Sequence, residues 1–158
     1  MKNEIINQYA HFWRTYRSIC KDFNTESWKK LGFGLTQADR LALHILQSTI
    51  FYIEGKTPLT CPDGSLITNH SSELDKKDLP DLKDILFIVD EVEKKTENWI
   101  NNTDFDSKNE EFPWTGESSA SVILFVLRHS QHHLGEMNAL LNEQFKGKAE
   151  DNFARLLG

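Results

Sequence analysis

Three of the chain's six histidines fall within five positions, in the stretch R-H-S-Q-H-H-L-G-E at residues 128–136. Successive residues of an α-helix are rotated by about 100° around its axis, so His129 and His133 would share one face, one turn apart. Two imidazoles placed in this way can chelate one divalent cation through their ring nitrogens. His132 would be rotated by about 100° from His133, which predicts a position at the rim of such a site.

A metal site in a helical bundle takes its ligands from more than one helix. His44 is the clearest further candidate, because it stands in the middle of the aliphatic helical segment L-A-L-H-I-L at residues 41–46. Three neutral imidazoles would hold a divalent ion and leave coordination positions open, which is typical of catalytic sites. Burying several imidazoles without partners is costly, and the sequence offers no obvious partner, so metal binding is favoured over core packing.

The remaining histidines carry a weaker signal. His11 lies beside Phe12 and Trp13 at the edge of an apolar stripe and is predicted to be structural, whereas His70 lies in a polar segment and is predicted to be solvated. The sequence contains no H-E-x-x-H, no E-x-x-H, no glycine-rich phosphate loop and no G-x-S-x-G. These absences exclude the usual patterns of zinc proteases, ferritin-like di-iron proteins, nucleotide-binding loops and serine hydrolases.

Four segments with helical hydrophobic periodicity must position these residues. They cover residues 4–22, 36–55, 81–100 and 118–145. Thr36 and Asp39 resemble a capping box at the start of the second helix, and Gly55 is a good terminator for its end. Ser118 or Ser119 is a suitable N-cap for the fourth helix, which carries the histidine cluster.

The segments between the helices are polar and aperiodic. Residues 24–34 are predicted to form a turn with one short helical stretch, and residues 101–117 form a second polar connection. The long connection at residues 56–79, which contains the turn C-P-D-G, allows the second and third helices to run parallel. No repeat or alternating strand pattern is present, so the predicted fold is all-α with four helices, and the apolar tail at residues 153–157 is expected to pack back on them.

Composition limits the classes of partner. The chain has 158 residues, enough for one domain, with 39% hydrophobic and 27% charged residues and a formal net charge of −6. This acidic balance argues against nucleic acid and against an anionic membrane surface. Cys20 and Cys61 form no C-x-x-C, and each is expected to have a structural or incidental role. The longest apolar run, residues 122–127, is too short to span a bilayer, and no signal-peptide pattern is seen, so the expected location is the cytoplasm.

A histidine in an aliphatic second helix, followed by H-x-x-H-H-x-G-[QE] in the last helix, resembles the DinB/YfiT-like family of metal-dependent enzymes. The matching stretches are L-A-L-H at residues 41–44 and H-S-Q-H-H-L-G-E at residues 129–136. The resemblance implies one four-helix-bundle domain over the whole chain, in up-down-down-up order, with a long connection between helices two and three. It also implies a divalent metal, typically zinc or nickel, on His44, His129 and His133, and a homodimer.

The activities that the resemblance implies are hydrolysis or the transfer of a low-molecular-weight thiol, such as bacillithiol, to a small electrophilic substrate. Gly135 matches the small residue of the family, whereas Glu136 stands where a glutamine is common. The Glu136 carboxylate would be an extra metal ligand, a base or a charge at the rim of the site. Glu136 or His132 would move protons, and residues 56–79 would cover the cleft.

The alternative hypothesis is a non-catalytic bundle. Its metal site would be structural or vestigial, and its function would lie in dimerisation or partner binding. Trp28, Phe112 and Trp114 are the aromatic residues expected to be exposed for that purpose.

Overall fold

The computed structural model describes residues 1–56 and 58–145, which fold mainly into α-helices. The helices are α1 (Lys2–Asp22), α2 (Thr25–Lys30), α3 (Ala38–Glu54), α4 (Leu82–Asn102) and α5 (Ser119–Gln144). The strands are β1 (Leu59–Thr60) and β2 (Leu66–Ile67). The all-α class is therefore confirmed, whereas the predicted packing of the tail at residues 153–157 lies outside the described residues.

Capping explains where the helices that carry histidines begin and end. Ser118 is the N-cap of α5 and its side chain accepts a hydrogen bond from the backbone N–H of Ser121. Gly55 ends α3 with a φ of +69°, a left-handed conformation that glycine adopts without steric cost. The prediction that α3 begins at Thr36 is wrong. Thr36 belongs to a 3₁₀ turn, and α3 begins at Ala38 with Gln37 as its N-cap.

The four long helices all contribute buried residues to one core. α3 packs against α4 and α5, and α1 packs against the same two helices. The buried Tyr16 hydroxyl donates to the Ala42 carbonyl on α3 at 3.0 Å, and the buried Tyr9 hydroxyl donates to the Ile123 carbonyl on α5 at 2.7 Å. These bonds tie α1 to both helices that carry the site. The largest fully buried side chains are Trp13, Trp28, Tyr16, Phe12, Ile19, Leu43, Ile45, Leu46, Ile50, Ile85, Ile88 and Ile100.

The connection between α3 and α4 contains a small hairpin that was not predicted. β1 and β2 pair antiparallel, with Leu59 opposite Ile67. The predicted C-P-D-G turn joins them, and the Gly64 backbone N–H donates to the Cys61 carbonyl at 2.9 Å. Strands of two residues are too short to produce a recognisable alternation in the sequence.

Two of the three aromatic residues expected to be exposed are buried. Trp28 is 1% exposed and packs against Phe23, and Phe112 is 6% exposed, whereas Trp114 is 63% exposed. Cys20 is fully buried, and this burial raises the pKa of its thiol, which is consistent with a structural role. Among the described residues, no helix combines the length and the hydropathy needed to cross a lipid bilayer.

Candidate metal centre

His44 lies in the middle of α3, on the side that packs against α5. Its neighbours Leu43 and Ile45 are fully buried, whereas His44 itself is half-buried. The aliphatic segment therefore holds the helix in the core while the imidazole reaches towards the edge of the interface between α3 and α5.

His129 and His133 lie one turn apart on α5, as the spacing predicted. Their ring centroids are 4.6 Å apart, and the neighbouring Val126 and Met137 are buried. Both histidines are half-buried rather than fully buried. The cluster therefore stands at the boundary between the core and solvent.

The three rings converge across the interface between α3 and α5. The His44 Nε2 and His129 Nε2 atoms are 3.1 Å apart, and the His44 ring centroid is 4.7 Å from that of His133. One ligand nitrogen from each of the three rings lies within 4.8 Å of the other two. Two nitrogens bound tetrahedrally to one ion at about 2.0–2.1 Å are about 3.3 Å apart. The His44 and His129 nitrogens therefore already have nearly the spacing that a shared ion requires.

The electrostatics of the cluster keep two of the imidazoles, those of His44 and His129, neutral. Burial, together with the nearby rings of His133, His129 and His70, lowers the pKa of His44 to about 4. Burial also lowers the pKa of His129, with a smaller contribution from its neighbour His133. Because a neutral imidazole has a free lone pair, these rings are ready to bind a cation at neutral pH without first losing a proton.

Glu136 contacts the cluster through His133. Its Oε2 atom accepts a hydrogen bond from Nδ1 of His133 at 2.7 Å, which leaves Nε2 of that ring as the free ligand atom. Carboxylates that hold a metal-binding histidine in this way fix its tautomer and raise its basicity. The ligand atoms of His132, His133 and Glu136 also lie within 4.8 Å of one another and form a second possible group. In that group, however, His133 and Glu136 are already hydrogen-bonded to each other.

His132 stands at the rim, as its rotation around the helix predicted. Its side chain is 70% exposed, and its Nε2 atom is 3.7 Å from Oε1 of Glu136. Gly135 does not serve the site by leaving space, because a Cβ atom built there would meet no heavy atom within 4 Å.

Contacts between aromatic rings connect the histidine cluster to the lining of a neighbouring cavity. The Phe125 ring stacks on His129 with an interplanar angle of 16°, and the Tyr52 ring packs against Phe125 at a centroid distance of 5.5 Å. Tyr52 also lines a cavity of about 370 Å³ together with Trp99, Phe112 and polar residues of the 108–111 segment. Phe125 and Tyr52 therefore connect His129 to the lining of this cavity.

His70 lies beside His44, a contact that the sequence did not predict. It was expected to be solvated, but it is half-buried and its ring centroid is 5.4 Å from that of His44. A polar segment without periodicity gives no signal for such a contact. The useful signal was on α3, where the polar residues Arg40 and Gln47 stand on the same face as His44 and are buried.

Comparisons of the chain with protein-family models, with curated proteins and with solved structures found no match. The chemistry of the site is therefore inferred from its residues and their geometry.

Proposed function

We propose that this chain is a metal-dependent enzyme of the DinB/YfiT-like type, with one divalent ion bound by His44, His129 and His133. The observation that carries the proposal is the convergence of three imidazole nitrogens from two helices, with Glu136 hydrogen-bonded to the ring of His133. Zinc or nickel is the proposed ion, because imidazole nitrogens suit both metals. The proposed reaction is hydrolysis, or transfer of a low-molecular-weight thiol, on a small electrophilic substrate.

We also propose the up-down-down-up bundle order that this type of protein implies. Lys2, at the start of α1, donates to backbone carbonyls at the end of α4, which supports an antiparallel pair. Gln144, at the end of α5, donates to the Asp22 carbonyl at the end of α1, which supports a parallel pair. Tyr52, late in α3, packs against Phe125, early in α5, which supports an antiparallel pair. Such an order places the ligands on two adjacent antiparallel helices.

The bound ion would supply a Lewis acid that lowers the pKa of a coordinated water or thiol. The residues of the chain would prepare the site for that chemistry. His44 stays neutral because it is desolvated, and Glu136 fixes the orientation of His133. We assign proton transfer to Glu136 and His132, because Oε1 of Glu136 is 3.7 Å from Nε2 of His132 and the His132 side chain is 70% exposed to bulk water.

The alternative is a non-catalytic bundle that acts through a dimer or another partner. The exposure of Trp114 (63%) and Phe33 (90%) is the observation that favours it. In this case the metal would be structural, and the melting temperature would depend strongly on the metal because binding energy then contributes to folding. An enzyme would instead retain most of its fold without metal and lose its turnover.

The first test is the metal content per chain, measured by plasma mass spectrometry on protein purified without a histidine tag. We expect about one zinc or nickel per wild-type chain, and loss of the metal in His44→Ala and His133→Ala. His11→Ala is the matched control, because His11 lies on α1 outside the cluster, and it should keep the metal. A wild-type chain that stays metal-free after reconstitution would overturn the proposal.

The second test separates the enzyme from the structural alternative. The metal-loaded protein is screened with activated ester substrates and with thiol plus electrophile pairs, beside His129→Ala. Turnover that disappears in His129→Ala supports an enzyme, whereas turnover that persists in this variant would contradict a role for the three-histidine site.

A further inference from the structure

His70 is held beside the three-histidine cluster by residues of the helix that carries His44. Its ring is nearly perpendicular to that of His44, at an interplanar angle of 79° and a centroid distance of 5.4 Å. His70 belongs to the connection between α3 and α4, which otherwise presents mostly exposed polar residues. Contacts with buried side chains of α3 hold this segment in place.

The backbone on both sides of His70 is bound by a single buried side chain. Gln47, on α3, donates from Nε2 to the carbonyl of Asn69 at 2.8 Å. Its Oε1 atom accepts from the backbone N–H of Ser71 at 2.7 Å. Both ends of one amide are therefore used on the two residues that flank His70, and Gln47 is fully buried.

Arg40 extends this attachment further along the connection. Its guanidinium donates to the carbonyl of Ser71 and, at 3.0 Å, to the carbonyl of Leu74. Arg40 precedes His44 by four residues and Gln47 follows it by three, so all three side chains project from one face of α3. The face that presents His44 therefore also anchors the segment that carries His70.

The chemistry of this anchor indicates a purpose beyond packing. Burying an amide and a guanidinium is unfavourable unless each is hydrogen-bonded, and apolar residues would pack against a connection at lower cost. Here both groups bind main-chain atoms within residues 69–74. Main-chain attachment fixes the position of the backbone, and hence of the one imidazole that this short segment carries.

The ring of His70 is also fixed in its tautomer. Its Nδ1 atom accepts a hydrogen bond from the backbone N–H of Ser72 at 3.2 Å, and the Ser72 hydroxyl lies 2.7 Å from the same nitrogen. A neutral imidazole whose Nδ1 accepts carries its proton on Nε2. Within the described parts of the chain, this Nε2–H donor has no hydrogen-bond partner, so it is available to a ligand.

We propose that His70 is a fourth functional residue of the site, which donates a hydrogen bond from Nε2 to the small-molecule ligand that completes the metal centre. This inference rests on the metal site proposed above. His70 is not a fourth metal ligand, because the described nitrogens close enough to share an ion come from His44, His129 and His133 and not from His70. Its role is to select and hold an electron-rich ligand, such as an anion, a thiolate or a carbonyl oxygen.

The test uses cobalt(II)-loaded protein, because the visible absorption of cobalt(II) reports its ligands without any need for a substrate. Azide is the probe ligand, and its dissociation constant is measured by titration of the cobalt spectrum. The variants are His70→Phe, which keeps a ring of similar size but no donor, and His70→Gln, which keeps an N–H donor. His11→Phe is the matched control on another helix.

We expect His70→Phe to keep one cobalt per chain and to bind azide about tenfold more weakly, as for the loss of one hydrogen bond to a charged group. His70→Gln should recover part of the affinity, and His11→Phe should match wild type. Azide affinity in His70→Phe within twofold of wild type would overturn the proposal. Loss of cobalt from His70→Phe, as from His44→Ala, would also overturn it, because His70 would then be a ligand.

Failure of this proposal is distinguishable from failure of the metal site. If wild-type protein takes up no cobalt, the three-histidine site itself is wrong and the role of His70 falls with it. If wild type and His70→Phe both take up cobalt and bind azide equally, the metal site stands and only the role of His70 is refuted. Thermal melting of each variant, followed by circular dichroism, confirms that the comparison is between folded proteins.

Discussion

Removing the carboxylate of Glu136 should weaken metal binding although Glu136 is not one of the three ligands. The carboxylate accepts from Nδ1 of His133 at 2.7 Å, which orients the ring and makes its Nε2 atom a better donor to the ion. Glu136→Gln keeps an oxygen acceptor but loses the charge, and Glu136→Ala loses both. The two variants therefore separate the effect of the charge from that of the hydrogen bond.

The expected size of the effect follows from the position of the carboxylate. Loss of a hydrogen-bond partner behind a metal-binding histidine typically costs about 10–100-fold in metal affinity. The Glu136 side chain is 34% exposed, so solvent screens part of its charge. We therefore expect Glu136→Gln near the lower end, about tenfold or 1.4 kcal/mol, and Glu136→Ala up to about 100-fold.

Competition between the protein and a chromophoric chelator for zinc, at fixed pH and ionic strength, measures these affinities. Glu143→Gln is the matched control, because it removes the same charge from an exposed position further along α5. Zinc affinity within twofold of wild type in both Glu136 variants would refute the assigned role. An equal loss of affinity in Glu143→Gln would show instead that the effect is one of net charge.

Three further outcomes follow from the structure. In metal-free protein the pKa of His44 lies near 4, below its usual value of 6.5, so the unfolded chain takes up a proton at a higher pH than the folded chain does. The free energy of unfolding should therefore fall by about 2 kcal/mol between pH 6.5 and pH 4. Urea unfolding of wild type and His44→Phe at these two pH values tests this. Gln47→Leu should release residues 69–71 and weaken azide binding as His70→Phe does, measured by the same cobalt titration. Tyr16→Phe should cost about 1 kcal/mol of unfolding free energy in urea, because its buried bond to the Ala42 carbonyl is lost.

The helices and the histidine cluster were largely predictable because both depend on short-range periodicity. The spacing of His129 and His133 fixes their common face in any α-helix, and the mid-helix position of His44 directs it towards a packed neighbour. The structure brings these three residues together. The helix caps at Gly55 and Ser118 were also predictable, because a cap depends on the type of residue at the end of the helix.

The parts that were not predicted depend on contacts between segments distant in sequence. Gln47 binds Asn69 across 22 positions of aperiodic chain, and nothing in the polar run around His70 indicates that it returns to α3. The burial of Trp28 depends in the same way on where the short helix α2 packs. Thr36 failed as a cap for a local reason, because its hydroxyl donates to the Phe33 carbonyl within a 3₁₀ turn.

The division of the ligands between α3 and α5 makes the proposed ion a cross-link within the chain. His44 and His129 are 85 residues apart, and a bond through one ion would close a loop that contains the whole of α4. Unlike a disulfide, an ion leaves its ligands when the chain unfolds, so it stabilises the folded state by mass action, by about 2.7 kcal/mol at a free metal concentration of 100 times the dissociation constant. Metal loading would thus add stability to a chain that already folds without the ion, in step with the logarithm of the free metal concentration, and a chelator would remove this increment while leaving the metal-free fold.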